Sequence, residues 1–292
     1  MLTQEQIESF EENGFLVIQD VLTPDQLAEA RRGVEALTEQ SRTLTESNEI
    51  FDLDIGHSAE KPMIARIKNA STHVPFLHEL GASDAFVDRA WPLIKGPGML
   101  YHGAGRLNMK SAEGGSAVEW HQDTAYGPNT NGDNLTVGLY LDDTTTENGC
   151  MLMIPGSHKG PALDHHEDGV FVGGIGPGRG ADFSKAVPVE VRAGGISIHG
   201  PFIVHGSSPN RSPRPRRLVL YGYQSTDQWK LFDGMTEKDL PAEFERRRKK
   251  LVRGELTTTI QCDTRMLRIP FPKPEQGNLF VIQRSQKERY FK

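Results

Sequence analysis

The amino-acid sequence predicts a mainly β protein with flanking helices, built as a β-sandwich or barrel-like jelly roll. Two observations carry that reading. From about residue 95 onward, short apolar or alternating runs recur at close intervals, each bounded by Gly, Pro, Asn or Asp. Ahead of them the chain carries capped helical patterns instead. No internal repeat and no long low-complexity linker interrupts the 292 residues. A single domain is therefore expected over 1–292, with a helical segment of about 1–95 packed on the β core.

The elements follow in order. Residues 3 to 12 read as a helix opened by Thr3, with Thr3 and Gln6 placed for a capping box and Gly14 as the stop. "FLVIQDVL" reads as a short buried strand. "TPDQLAEARRGVEAL" reads as a second helix, with Thr23 as N-cap, Pro24 in the first position, and Leu27, Ala30, Val34 and Leu37 as its apolar stripe. The strand candidates are then "GMLYHG", "RLNMK", "LTVGLYLDD", "CMLMIPGS", "VPVEVRAGG", "ISIHG" and "RRLVLYGYQ". "LPAEFERRRKKLVRGEL" reads as a late helix whose basic run is a solvated face.

Bulk properties narrow the function classes. Hydrophobic content is 36%, charged content 25% and formal net charge −6, an ordinary globular composition with no basic excess for nucleic acid. No apolar run is long enough to span a bilayer. The N-terminus has neither a basic n-region nor an apolar h-region. Cys150 and Cys262 lie far apart and form no CxxC, so neither a disulfide framework nor a thiolate site is expected. The expectation is a cytoplasmic protein with reduced thiols, acting on a small molecule, with no nucleic-acid or membrane partner. The sequence leaves the oligomeric state open.

The stretch "EWHQDTAYGP" places His121 and Asp123 two apart, on one side of an expected strand. That spacing alone arises by chance in roughly half of chains this long. A grip on metal needs a third ligand. Among the other histidines, His57, His73 and His78 fall in the helical segment. His158, His165 and His166 fall in loops and read as solvent-facing or structural hydrogen-bonders, and His102 as core or pocket lining. His199 and His205 remain, where one strand gives way to another. Two imidazoles and a carboxylate form the facial set of non-haem Fe(II) oxygenases, which leaves three coordination positions open. Arg216 opens the strand "RRLVLYGYQ" and is placed to hold a carboxylate through two parallel hydrogen bonds.

"WHQD", "ENGCMLMIPGSHKG" and "HGSSPNRSPRPRR", in that order, together with the opening "LTQEQIESFEENGFLVIQDVLTPDQL", resemble the phytanoyl-CoA dioxygenase family of Fe(II)- and 2-oxoglutarate-dependent oxygenases. The resemblance spans roughly residues 3 to 225. It implies a double-stranded β-helix, a cupin-like jelly roll. It implies metal ligands His121, Asp123 and His205, with His199 beside them, and cofactors Fe(II), 2-oxoglutarate and O2. It picks Arg216 as the co-substrate anchor, with Arg217 pointing the other way, and implies that Gln122 and Ser207 touch 2-oxoglutarate. Asn108 is a further candidate contact. A carboxylate at Asp123 favours hydroxylation over halogenation, since related halogenases leave that ligand position to a small residue.

Polar and aromatic residues crowd the motifs: Tyr101, His102, Arg106, Lys110, Trp120, Tyr126, Asn129 and Tyr140. They suit a small polar substrate whose anionic end meets Lys110, Arg106 or Arg179, with an amine or quaternary ammonium end against aromatic faces. His199 completes the candidate substrate residues. Aminophosphonates, quaternary-ammonium phosphonates and other zwitterions are the leading substrate classes. An acyl-CoA hydroxylase, a non-catalytic cupin-like binding protein and a zinc hydrolase are the alternatives. The segment 165–185, with six glycines between Gly169 and Gly180, reads as a mobile lid that Arg179 closes.

Overall fold

The computed structural model describes residues 1–103, 105–273 and 279–291. Both N-terminal helices form as their caps dictate. Gln4–Asn13 opens on the Thr3/Gln6 capping box and closes at Gly14 in the left-handed region, φ 83°. Pro24–Gln40 opens on the Thr23/Gln26 box with Pro24 in the first turn. Such a cap stabilises a helix by about 1 kcal/mol. A side chain at Gly14 would meet a second obstacle, because a Cβ there would lie 2.4 Å from His158 Nδ1.

Among the described residues the strands form a nine-stranded sheet, a four-stranded sheet and a two-stranded hairpin. The large sheet runs Phe15–Ile18, Ile196–His199, Asn134–Tyr140, Arg216–Ser225, Arg106–Lys110, Ile64–Ile67, Phe51–Leu53. Gly98–Tyr101 pairs with the far half of Arg216–Ser225 and with Leu251–Gly254. The small sheet runs Val187–Val189, Met151–Met153, His205–Ser207, Val118–His121. The pairings are antiparallel, and the sheets face each other without closing.

Period-two alternation divides the large sheet's residues between its faces. Leu107, Val137, Leu139, Val219 and Tyr221 pack outward against Ala30, Val34 and Leu37 of the second helix in the main core. Each such aliphatic side chain contributes about 1.5–3 kcal/mol on full burial. On the inner face, Tyr140 and Leu218 meet Met151, Met153 and Val189 of the small sheet in a second core. Inner positions left unfilled line the cavity described below.

The structure bears out the strand at Phe15–Ile18, corrects three expectations and adds one element. The rest of the segment before residue 95 is not helical throughout, since Phe51–Leu53 and Ile64–Ile67 also belong to the large sheet. The late helix covers Leu240–Lys250 and stops there, because Leu251–Gly254 is taken up as a strand by Gly98–Tyr101. Its basic run is not wholly solvated: Arg247 is buried over the Trp229 ring at 4.4 Å and donates to Thr226 O at 2.6 Å. A C-terminal helix, Leu279–Arg284, was not foreseen. No described helix is long and apolar enough to cross a membrane. Cys150 and Cys262 are both unbonded.

Candidate metal centre and its cavity

His121 ends the strand Val118–His121, and His205 begins the neighbouring strand His205–Ser207 directly opposite it. Opposed residues share a face, so the two rings lie side by side with centroids 4.1 Å apart. Asp123 is not on the strand, as the two-residue spacing implied. Gln122 keeps an extended backbone, and a 3-10 turn, Asp123–Ala125, then folds the carboxylate back. Asp123 Oδ1 comes to 3.6 Å from His121 Nε2. One ligand atom from each of His121, Asp123 and His205 falls within 4.8 Å of the others.

Backbone carbonyls fix the imidazole tautomers. His121 Nδ1 donates to Glu119 O at 2.8 Å, and His205 Nδ1 donates to Ile203 O at 3.1 Å. Each Nε2 is then a free lone pair facing its partners, the arrangement a ligating histidine needs. Burial and the neighbouring His121 hold His205 well below the ordinary histidine pKa, so it is neutral. Burial alone would raise the Asp123 pKa, but the imidazoles of His121, His199 and His205 outweigh it and hold the carboxyl well below its usual range. The accessible 28% of the Asp123 side chain opens onto the cavity.

The second carboxylate oxygen is held from behind. Thr136 Oγ1 donates to Asp123 Oδ2 at 3.3 Å, and His199 Nε2 stands 3.5 Å from the same oxygen. Thr136 and His199 sit opposite each other on adjacent strands, so both aim inward. Oδ1 is thereby left on the side of His121 Nε2. Groups that orient a ligand are worth about 10–100-fold in metal affinity. Thr136→Val is therefore expected to weaken Fe(II) binding about 10-fold, measured by competition with a chromogenic chelator. Unchanged affinity would show that the carboxylate needs no such support.

Arg216 lies at the start of the strand Arg216–Ser225 and is 3% exposed. Its Nη2 donates to Gly149 O at 3.2 Å, while Nε and Nη1 are buried without a partner. Arg217 faces the other way and is satisfied: it reaches Asp142 at 2.7 and 2.9 Å and Glu35 at 3.2 Å. Arg216, Leu218, Leu220 and Gly222 all line one cavity of about 450 Å³, which also receives the triad. At roughly 3.3 Å per residue, that row extends about 20 Å.

These residues fit the cofactors that the motifs implied. Two imidazole nitrogens and one carboxylate oxygen converge on an open cavity, the donor set suited to Fe(II). Unpaired buried guanidinium groups are costly, and the two free nitrogens of Arg216 in this cavity would suit one carboxylate of 2-oxoglutarate.

Of the other anticipated site residues, Ser207, Asn108, Arg106, Tyr126 and His199 line the cavity. Five do not. Gln122 is fully buried on the far side, where its amide donates to Phe202 O at 2.8 Å and accepts from Leu163 N at 2.7 Å. Lys110 is fully engaged by Ser116 O and Ser208 O at 2.6 and 2.7 Å, so it is not free to meet a substrate anion. It ties the chain before one histidine-bearing strand to the chain after the other. Trp120 stacks between Phe183 and Phe291 in a separate core. Tyr140 is core, its hydroxyl 3.0 Å from Ser197 Oγ. Arg179 bonds His166 O and lies 3.7 Å from Glu167, outside the cavity. Tyr101 likewise stacks on Tyr223 in the main core.

The segment 165–185 is not a detached lid. Phe171 to Gly176 are buried, Ile175 N donates to Trp120 O at 2.7 Å, and the Tyr126 hydroxyl donates to Gly173 O. His165 and His166 are buried rather than solvent-facing. Gln122 N donates to His165 Nε2 at 2.9 Å, which requires a neutral ring. Burial lowers the His165 pKa from 6.5 to about 4. Because the unfolded chain binds this proton more readily, the stabilisation is complete above pH 6.5 and is lost as pH falls toward 4, a loss of roughly 3 kcal/mol for such a shift. Denaturant midpoints of the metal-free protein should fall across that window. His165→Gln should remove about one proton's worth of the slope, and an unchanged slope would refute the assignment.

Residues not anticipated complete the wall: Arg66, Thr136, and Leu279 and Ile282 of the C-terminal helix. Gln283 of that helix accepts from Glu119 N at 3.0 Å and donates to the Tyr126 hydroxyl at 2.9 Å, fixing the helix beside the strand that carries His121. Arg66 stands opposite Asn108 on the next strand, a pairing that sequence periodicity did not reveal.

Comparison with known proteins agrees with this geometry. The family model described as phytanoyl-CoA dioxygenase (PhyH) matches residues 10–218. A probable alpha-ketoglutarate-dependent hypophosphite dioxygenase of Stutzerimonas stutzeri is 27% identical, over 98% of this chain and 99% of that protein. The ectoine dioxygenase of Halomonas elongata is 25% identical over 77% of this chain and 71% of its own. The crystal structure of EctD from S. alaskensis with 2-oxoglutarate and 5-hydroxyectoine shares the fold, with a TM-score of 0.64, 21% identity and 77% coverage of each chain. With the His–Asp–His cluster and the buried arginine sharing one cavity, the chain belongs to the phytanoyl-CoA dioxygenase (PhyH) family of Fe(II)- and 2-oxoglutarate-dependent dioxygenases.

Proposed function

We propose that the protein hydroxylates an unactivated C–H bond in a small polar metabolite with an anionic end, an aminophosphonate or a related zwitterion being the leading class. The observation that carries this reading is the size and charge of the cavity. About 450 Å³ must hold both 2-oxoglutarate and the substrate, and among its apolar lining the wall bears Arg66, His102, Arg106 and Tyr126. That volume lies toward the small end of ligand pockets, which run about 300–1,000 Å³. An acyl-CoA is therefore disfavoured. Support also comes from relatives named for hypophosphite and for ectoine, a small oxyanion and a small zwitterion.

His121, Asp123 and His205 would hold Fe(II), and Arg216 would pair with the carboxylate of 2-oxoglutarate farthest from the metal. Bound iron supplies the oxygen activation that couples decarboxylation of 2-oxoglutarate to oxidation of substrate. The balance is substrate R–H, O2 and 2-oxoglutarate giving R–OH, succinate and CO2, with one oxygen atom in each of the first two products. The chain's own residues set geometry and exclude water. Glu119 O and Ile203 O fix the ring orientations, Thr136 fixes the carboxylate, and Leu279 and Ile282 cover the site from the C-terminal side.

Succinate release tests the reading across a panel of 2-aminoethylphosphonate, its trimethylammonium analogue, hypophosphite, ectoine and phytanoyl-CoA. Turnover above the substrate-free background is expected with a small phosphonate or zwitterion. Turnover confined to phytanoyl-CoA would overturn it.

A further inference from the structure

The cavity wall away from Arg216 carries two arginines, Arg66 and Arg106. Asp52, opposite Arg66 on the next strand, forms its ion pair with Lys68 at 3.0 Å and acts on Arg66 only at longer range. Arg66, on the strand Ile64–Ile67, points inward with Asn108, to which its Nε donates at 3.3 Å. Its guanidinium lies 5.2 Å from the centre of the Phe280 ring. Arg106 lies two residues before Asn108 and lines the same cavity. Among the described residues neither arginine has an ion pair. Arg66 is largely buried, and burial with the nearby charge of Arg106 lowers its pKa to about 10, which still leaves a cation at neutral pH.

Two lysines add to this charge near His102. Lys230 bridges Asn129, two residues from cavity-lining Gly127. Lys250 immediately precedes Leu251, which sits opposite Leu100 on the strand leading to His102. Neither lysine has an ion pair among the described residues, whereas nearby Arg246 is committed to Glu243 at 2.6 Å. His102 lines the cavity and is neutral: burial, then Lys250, Lys230 and Arg246, push its pKa down to about 4. The single carboxylate among the cavity-lining residues is Asp123, whose charge faces the metal site. A chain of net charge −6 thus places two arginines in the wall of one cavity and two lysines near its His102, none with an ion pair among the described residues.

We propose that Arg66 reads an oxyanion of the substrate, a phosphonate, phosphinate or carboxylate, and that Arg106, Lys230 and Lys250 draw that anion into the cavity. The assignment rests on the hydroxylase reading above and specifies which end of the substrate is recognised and by what. A guanidinium suits the task because it offers several donors in one plane to two oxygens at once. Field from unpaired surface cations raises the association rate of anions and is screened by salt. The aromatic face of Phe280 leaves the guanidinium edge free for the ligand.

Isothermal titration tests it on the full chain loaded with Fe(II) and 2-oxoglutarate under nitrogen. The probes are methylphosphonate, hypophosphite and β-alanine as oxyanions from different sources, and choline as a cation without an anion. The oxyanions are expected to bind and choline alone not to; the tightest of the three names the source. Arg66→Met should weaken the best anion at least tenfold while Fe(II) and 2-oxoglutarate affinities stay within twofold, and Arg66→Lys should recover part of the loss. Should Arg66→Met fold poorly, the triple change Arg106→Gln, Lys230→Gln, Lys250→Gln is read instead. Followed by stopped-flow mixing, it should slow anion association and flatten the dependence of that rate on salt. Equal binding of choline and anions, a loss of 2-oxoglutarate affinity in Arg66→Met, or an unaltered salt dependence in the triple variant would each overturn the proposal. Failure of the parent reading has a different signature: anions bind through Arg66, yet no small probe releases succinate.

Discussion

His205→Ala is expected to abolish iron-dependent turnover while the protein still folds. His121 and His205 each present an Nε2 fixed by a backbone carbonyl, and Asp123 adds one oriented oxygen. Removing a group that merely orients a ligand costs about 10–100-fold; removing the ligand itself should exceed that. His121→Ala and Asp123→Ala should behave alike. Succinate release at saturating Fe(II) measures the effect, and a melting curve confirms the fold. His199 supplies the contrast. It stands 3.5 Å from Asp123 Oδ2, behind the carboxylate, and its ring centroid is 4.8 Å from that of His205. His199→Ala should retain measurable turnover with weakened metal affinity. Full activity in His205→Ala together with none in His199→Ala would reassign the third ligand.

Arg216→Met should raise the 2-oxoglutarate requirement far more than the substrate requirement. Its Nε and Nη1 are buried without partners. Truncation would strand the carboxylate of 2-oxoglutarate in a dry cavity, a loss of about 2–4 kcal/mol. That corresponds to a rise in KM for 2-oxoglutarate of about 30- to 1,000-fold. Arg217→Ala provides the control one residue away. Its partners are the largely buried Asp142 and the exposed Glu35 on the opposite face, so its loss should lower stability by leaving Asp142 unpaired and leave KM alone. Equal effects at the two positions would contradict the division between inner and outer faces.

Much of this site was legible because local rules decided it. Alternation along "RRLVLYGYQ" separates Arg216 from Arg217, and the structure places them on opposite faces. The capping boxes at Thr3 and Thr23 fix two helix starts through contacts three residues apart. What escaped depends on distant partners. Ile64–Ile67 is four residues long and becomes a strand only beside Arg106–Lys110 and Phe51–Leu53. Leu279–Arg284 is too short to hold as an isolated helix and relies on Phe280, Ile282 and Gln283 being buried. The reversal of Gln122 and Lys110 has the same origin. Composition shows that a polar side chain must be satisfied, but not that Phe202 O, or Ser116 O and Ser208 O, will do it.

The position of the C-terminal helix has a consequence for how such an enzyme changes its diet. The PhyH match ends at residue 218, after all three candidate metal ligands and Arg216. Leu220, Gly222, Tyr223, Leu279 and Ile282 all come later, yet they help to shape the chamber into which those groups face. The chemistry and much of its enclosure are therefore written in different stretches of the chain. A grafted tail that docks on Glu119 and Tyr126 as Gln283 does could retarget the catalyst without disturbing its iron. A tail cut short would leave an oxidant-generating centre open to water.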